Sequence, residues 1–230
     1  MRAGSTGLWG RSSARRLALA AAMAAATAAP SEIAAQDRRL AARLDSATAE
    51  AVTRLADSVR AVGLPSDPLI GVALEGATRR ASSERILAAV REYAAALGVA
   101  RQTLGDSAMS DEIVSAAGVL VAGVAPRVVV DYRSARPAGA LTVPFVVLAD
   151  LIARGIPADT AASALGAALR SGASDDDLVE FRRRVERDIA AGARPTTAMT
   201  IRRRDLPGTP MEGVSPMRPK SPRLRRPFPR

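Results

Sequence analysis

Between Gly63 and Gly172 one short pattern recurs along the chain, mostly at intervals of 16 or 17 residues. A small residue, often Gly, is followed by an apolar one. A Ser, Thr or Pro comes shortly after, and then an apolar run with helical spacing. Aligned on their first position, seven units begin at Gly63, Arg80, Ser107, Gly123, Gly139, Gly155 and Gly172. The second position of every unit is apolar. So is the seventh (Leu69, Ile86, Ile113, Val129, Phe145, Ala161, Leu178), and so is the tenth (Val72, Ala89, Ala116, Tyr132, Leu148, Ala164, Phe181). Positions three apart share one face of a helix. In five units the fourteenth position continues that face, with Gly76 and Arg136 as the exceptions.

The start of each unit has a physical basis. A Gly just past a helix takes the left-handed conformation that closes the C-terminus, and the apolar residue beside it packs back on that helix. Ser66, Ser82, Ser110, Thr142 and Ser174 are placed to cap the following helix by accepting bonds from its unpaired N–H groups. Ser174 with Asp177 has the spacing of a capping box. A unit with about four residues in the turn leaves a helix of about 12 residues, roughly 18 Å long. Helices this short are marginal alone and must bury their faces on neighbours. The expected fold is therefore all-α, an array or compact bundle of short antiparallel helices built from 16–17-residue helix–turn units. The signature residues of tetratricopeptide repeats are absent, and the ankyrin signature needs a His that this chain lacks.

Three departures refine the expectation. The unit from Arg80 has about ten extra residues, which extends its helix from Ser83 to about Leu104. In the fourth unit Arg133, Arg136 and Pro137 interrupt the pattern, so a short helix and a loop are expected. Before the array, Gln36 to Val62 reads as one long amphipathic helix with Leu40, Leu44, Ala47, Ala51, Leu55 and Val59 on one face.

The net charge of +10 is unevenly divided. Residues 1–28 carry four Arg and no acid. Residues 29–192 hold 19 Arg and 21 acids, whereas residues 193–230 hold ten basic residues against Asp205 and Glu212. At the N-terminus, Arg2, Arg11, Arg15 and Arg16 precede an uncharged run from Leu17 to Pro30, too short to span a bilayer comfortably. Ala26-Thr27-Ala28 and Ile33-Ala34-Ala35 supply small-residue cleavage patterns. Residues 1–28 thus read as a secretory signal peptide cleaved near Ala28 or Ala35, which gives a periplasmic or secreted protein without a transmembrane span in its mature form. The Arg-over-Lys bias and the high Ala content read as GC-rich bacterial coding. Residues 29–62 then form a linker and the long helix, 63–192 the helical repeat domain, and 193–230 a disordered Arg/Pro-rich tail.

The tail holds eight of the fifteen prolines and loses the apolar period. Its expected role is polyanion binding through Arg202, Arg203, Arg204, Arg218, Lys220, Arg223, Arg225, Arg226 and Arg230. Outside the cytoplasm the anion is a lipid headgroup, lipopolysaccharide or a cell-wall polymer, rather than nucleic acid.

With no Cys and no His, the chain has no thiolate nucleophile, no Ser–His–Asp triad and no His- or Cys-ligated zinc of its own. Lys220 is the single lysine. Asp175, Asp176 and Asp177 lack the alternating spacing and the Gly of a Ca²⁺ loop, and they suit the first turn of a helix. No metal and no cofactor is expected. The function expected from the sequence is binding of a protein or peptide partner in the bacterial envelope, with the basic tail contacting anionic envelope components. The alternatives are a carboxylate-dependent envelope enzyme such as a cell-wall glycosidase, or a purely structural module.

Overall fold

The computed structural model describes residues 38–207, and the expected signal segment lies outside the described residues. Those residues are all-helical, with no strand among them. They divide into two compact units, one ending at Arg133 and the other starting at Ser134. The first unit holds a short helical stretch at 38–41, then α1 (Ser46–Ala61), α2 (Asp67–Thr78), α3 (Ser83–Leu104), α4 (Ser110–Val121) and most of α5 (Pro126–Ala135). The second holds α6 (Thr142–Ala153), α7 (Ala158–Arg170), α8 (Asp175–Ala190), α9 (Pro195–Arg202) and a 3-10 turn at Arg203–Asp205. In the first unit α3 is the hub, packed on α1, α2 and α4. In the second, α8 packs on α6 and α9, and α6 on α7.

Five of the helices among the described residues, α1, α2, α4, α6 and α7, stop where a repeat unit begins. Gly63, Gly123, Gly155, Gly172 and Gly192 all have φ between 75° and 97°. After α1, the Gly63 N–H donates to the Arg60 carbonyl (2.9 Å) and the Leu64 N–H to the Val59 carbonyl (3.1 Å). This double closure satisfies two carbonyls that the helix leaves open. It recurs after α4, α6, α7 and α8, through Gly123 and Val124, Gly155 and Ile156, Gly172 and Ala173, and Gly192 and Ala193. Arg80 closes α2 in the same way at φ 56°, a conformation that costs a non-glycine residue about 1–2 kcal/mol. After α4, α6 and α7 the residue following the glycine packs inward: Val124 is 5 % exposed, Ile156 2 % and Ala173 3 %, while Leu64 and Ala193 are half-buried.

The core follows the period. None of the seven residues at the seventh position is more than 3 % exposed. At the tenth position Ala116, Tyr132, Leu148, Ala164 and Phe181 are buried. The two exceptions at the fourteenth position have physical causes. A Cβ on Gly76 would stand 2.8 Å from Cγ1 of the buried Ile86, so only glycine lets α3 approach α2 there. Arg136 turns away to donate to the Ala173 carbonyl (2.7 Å) and to Asp175, and so ties the opening loop of the second unit to the start of α8.

Several expectations are corrected. The long helix expected from Gln36 to Val62 is broken at 42–45, and α1 starts at Ser46. The break is stabilised by Asp45, whose carboxylate accepts the Thr48 N–H (2.9 Å), the Thr48 hydroxyl (2.7 Å) and the Ser83 hydroxyl (2.9 Å). One side chain thus caps α1 and reaches the first residue of α3. Ser82 and Ser174 cap as expected, the latter in a full capping box with Asp177. Ser66 occupies the cap position of α2 without a side-chain bond. Ser110 and Thr142 are instead the first helical residues, behind Met109 and Leu141. At α4 the acids Asp111 and Glu112 provide the first-turn negative charge that favours a helix start.

Two predictions follow from these contacts. Gly71→Ala and Gly76→Ala make the same change in α2 with opposite signs. At Gly71 nothing lies within 4 Å of an added Cβ, so helix propensity should stabilise the protein by about 0.5–1 kcal/mol. At Gly76 the contact with Ile86 should destabilise it by about 1–3 kcal/mol. Denaturant midpoints of the two variants provide the check.

Asp45 is held at a pKa of about 2, below its ordinary 3.8, chiefly by the Thr48 hydroxyl and then by the Thr48 N–H and Ser83. The native state therefore favours the ionised form. Its stabilising contribution is complete above pH 3.8 and is lost as the pH falls towards 2. The melting temperature should fall across that window, and less steeply in Asp45→Asn.

Candidate functional site in the basic C-terminal segment

The basic segment is anchored on α8, whose sequence runs from Asp175-Asp176-Asp177 to Arg187. Acids at its start and Arg near its end both suit the helix dipole. Leu178, Phe181 and Val185 are buried on one face. Arg182 reaches Asp150 on α6, and Glu186 accepts Arg154 at 3.1 Å. The acidic triplet is thus a helix start: Asp175 pairs with Arg136, and Asp177 closes the capping box.

The expectation that the tail is disordered from residue 193 is corrected for residues 195–205, which form α9 and the 3-10 turn. Ala198, Met199 and Leu206 are at most 4 % exposed, and this apolar contact orders the segment. Such single residues carry too short a period to stand out in the sequence. Arg202 adds a two-pronged bond to Asp188 on α8, Nε to Oδ2 at 2.7 Å and Nη2 to Oδ1 at 2.9 Å. Asp205 accepts Arg184 at 3.3 Å and Arg202 at 3.5 Å. Glu180 in turn accepts Arg184 (3.0 Å) and Arg187 (3.2 Å). The Arg202 side chain holds the Asp188 carboxyl below its usual range, and Asp188 raises Arg202 in return. Arg184 lowers Glu180 similarly.

The eight arginines and one lysine expected to bind polyanions therefore fall into three groups. Arg202 is committed to Asp188 and Asp205. Arg203 and Arg204 are exposed on the 3-10 turn. Arg218, Lys220, Arg223, Arg225, Arg226 and Arg230 lie outside the described residues. Sequence reading missed Asp188 and Asp205 as partners. Asp188 stands 14 residues before Arg202, and no helical period links them. It also missed the exposed Arg183. This residue lines a shallow depression of about 460 Å³ with Arg154, Glu180, Glu186, Arg187 and Ala190.

Glu112 is the one buried acid among the described residues, 4 % exposed. Arg133 donates to both its oxygens, at 2.9 and 3.0 Å, and so joins α4 to α5. Asp150 is taken by Arg182, and Asp131 is exposed. Glu180 and Glu186 share the depression, but arginines hold both. Among the described residues no group of three or more acids is placed to hold a metal ion, and no helix is long and apolar enough to cross a membrane.

Glu112→Gln should destabilise the protein by about 3 kcal/mol, since it withdraws the counter-charge from a guanidinium that is largely enclosed. Urea unfolding tests this, and Glu112→Gln with Arg133→Met should recover part of the loss.

Comparison of the chain with protein-family models, curated proteins and solved structures finds no match.

Proposed function

We propose that the protein works by binding rather than by chemistry. It is an exported helical-repeat protein whose body engages a protein or peptide partner, and whose basic segment contacts an anionic component of the bacterial envelope. The observation that carries this is the division of labour among the cations. In and beside the helices, arginines are paired with acids of the same unit: Arg202 with Asp188, Arg182 with Asp150, Arg136 with Asp175 and Arg133 with Glu112. Beyond Leu206 the sequence holds six basic residues against Glu212 alone. The excess charge therefore gathers where little in the sequence balances it, as polyanion-binding segments require. Charge in this pattern supports an electrostatic contact, while the shallow, arginine-held acids of the body favour a surface for docking over a catalytic cleft.

Removing residues 207–230 should abolish salt-sensitive co-sedimentation with isolated envelope and leave the melting temperature unchanged. Removing 193–230 should abolish it and also lower the melting temperature, because Ala198, Met199 and Leu206 are lost from the core. Envelope binding that is unaffected by deletion of 207–230, or by salt, would contradict the electrostatic contact.

A further inference from the structure

We propose that α9 and its 3-10 turn form a releasable strap. A phosphate-bearing polyanion that engages Arg203 and Arg204 draws Arg202 away from Asp188 and frees the strap from α8. This deepens the reading above and rests on it. Three observations carry it.

The first is the weakness of the strap alone. α9 has 8 residues, and a helix that short does not persist without docking. Its apolar hold is small, consisting of Ala198, Met199 and Leu206.

The second is that the rest of its hold is ionic and open to solvent. Arg202 and Asp188 have side chains 34 % and 23 % exposed, and Arg184 and Asp205 40 % and 30 %. Ions reach such pairs, and salt weakens them.

The third is geometry. The Nε and Nη2 atoms of Arg202 present one planar edge to Asp188. A phosphate takes the same edge in the same two-pronged manner, so carboxylate and phosphate exclude one another. Arg203 and the exposed Arg204 follow directly in the chain, so a polymer held there brings its next phosphate close to Arg202. Release would uncover Ala198, Met199 and Leu206 beside the three arginines and so turn a docked helix into a mixed apolar and basic segment.

Amide hydrogen exchange on the full chain tests the strap, with inorganic polyphosphate and phosphatidylglycerol vesicles as separate probes. Without ligand, Asp188→Asn should speed exchange in 198–202 by about tenfold, the effect of losing one charge-assisted hydrogen-bonded pair at a half-open site. The charge-swapped pair, Asp188→Arg with Arg202→Asp, should restore protection. In the native chain, polyphosphate should reproduce the acceleration in 198–202 and leave α6 and α7 protected. Acceleration by vesicles alone would support the strap and identify the phosphate source as a lipid surface. A probe that binds and leaves 198–202 protected would overturn the competition. If Asp188→Asn exchanges like the native chain, the ionic hold itself is refuted. If neither probe binds, the polyanion reading fails and takes the competition with it, while the ligand-free variants still report whether Asp188 holds α9.

Discussion

The fold depends on one backbone event, a left-handed residue that ends a helix and returns the next amide to a carbonyl five residues back. Six helices among the described residues end in this way. The event fixes helix length, because the next helix can start only a few residues later. It also fixes register where the residue after the closure packs inward. Val124, Ile156 and Ala173 do so, and their burial sets which face of the next helix meets the core. A chain rich in Ala and poor in large side chains has little else with which to specify packing. Close approach takes over that role, most plainly where α3 meets α2 across Gly76 and Ile86.

Much of this was legible in the sequence, because both closure and burial follow short-range rules. The recurring Gly-apolar pair marked four of the six closures, at Gly63, Gly123, Gly155 and Gly172, whereas Gly139 closes no helix, and the seventh-position residues are core without exception. The long α3 was bounded correctly because Ser82 at its start and Gly105 past its end give strong local signals. Local signals failed where a stronger pattern hid them or a distant group took part. Asp45 caps α1 through Thr48, a local signal that the apolar period of the expected first helix masked, and only its further bond to Ser83, 38 residues away, lay beyond local reading. Ser110 and Thr142 have the right chemistry for caps, but each stands one position inside its helix, where one residue of register decides the role.

The candidate site divides in the same way. The charge asymmetry was plain from composition, and so was the improbability of catalysis by Cys or His. The commitment of Arg202 was not, since it needs Asp188 and Asp205 to arrive through folding of α8 and α9. A triplet of arginines that reads as one binding cluster is therefore two things, a structural pin at Arg202 and exposed charge after it. The same conversion applies to the acids. Asp175 and Asp177, the densest acidic run in sequence, spend their charge on Arg136 and a helix cap. Glu112, which nothing in the sequence distinguishes, is the buried one.

The central claim is that the closures hold the helices in place rather than merely marking their ends. Native-state hydrogen exchange of the returning amides tests it most directly. The N–H groups of Leu64, Val124, Ile156, Ala173 and Ala193 each donate to a carbonyl five residues back. If the closures carry the fold, these turn amides should exchange as slowly as the interiors of the helices they end, through the same opening events. Exchange at the rate of an open loop would contradict the account and leave the repeat as a pattern of turns without a structural role.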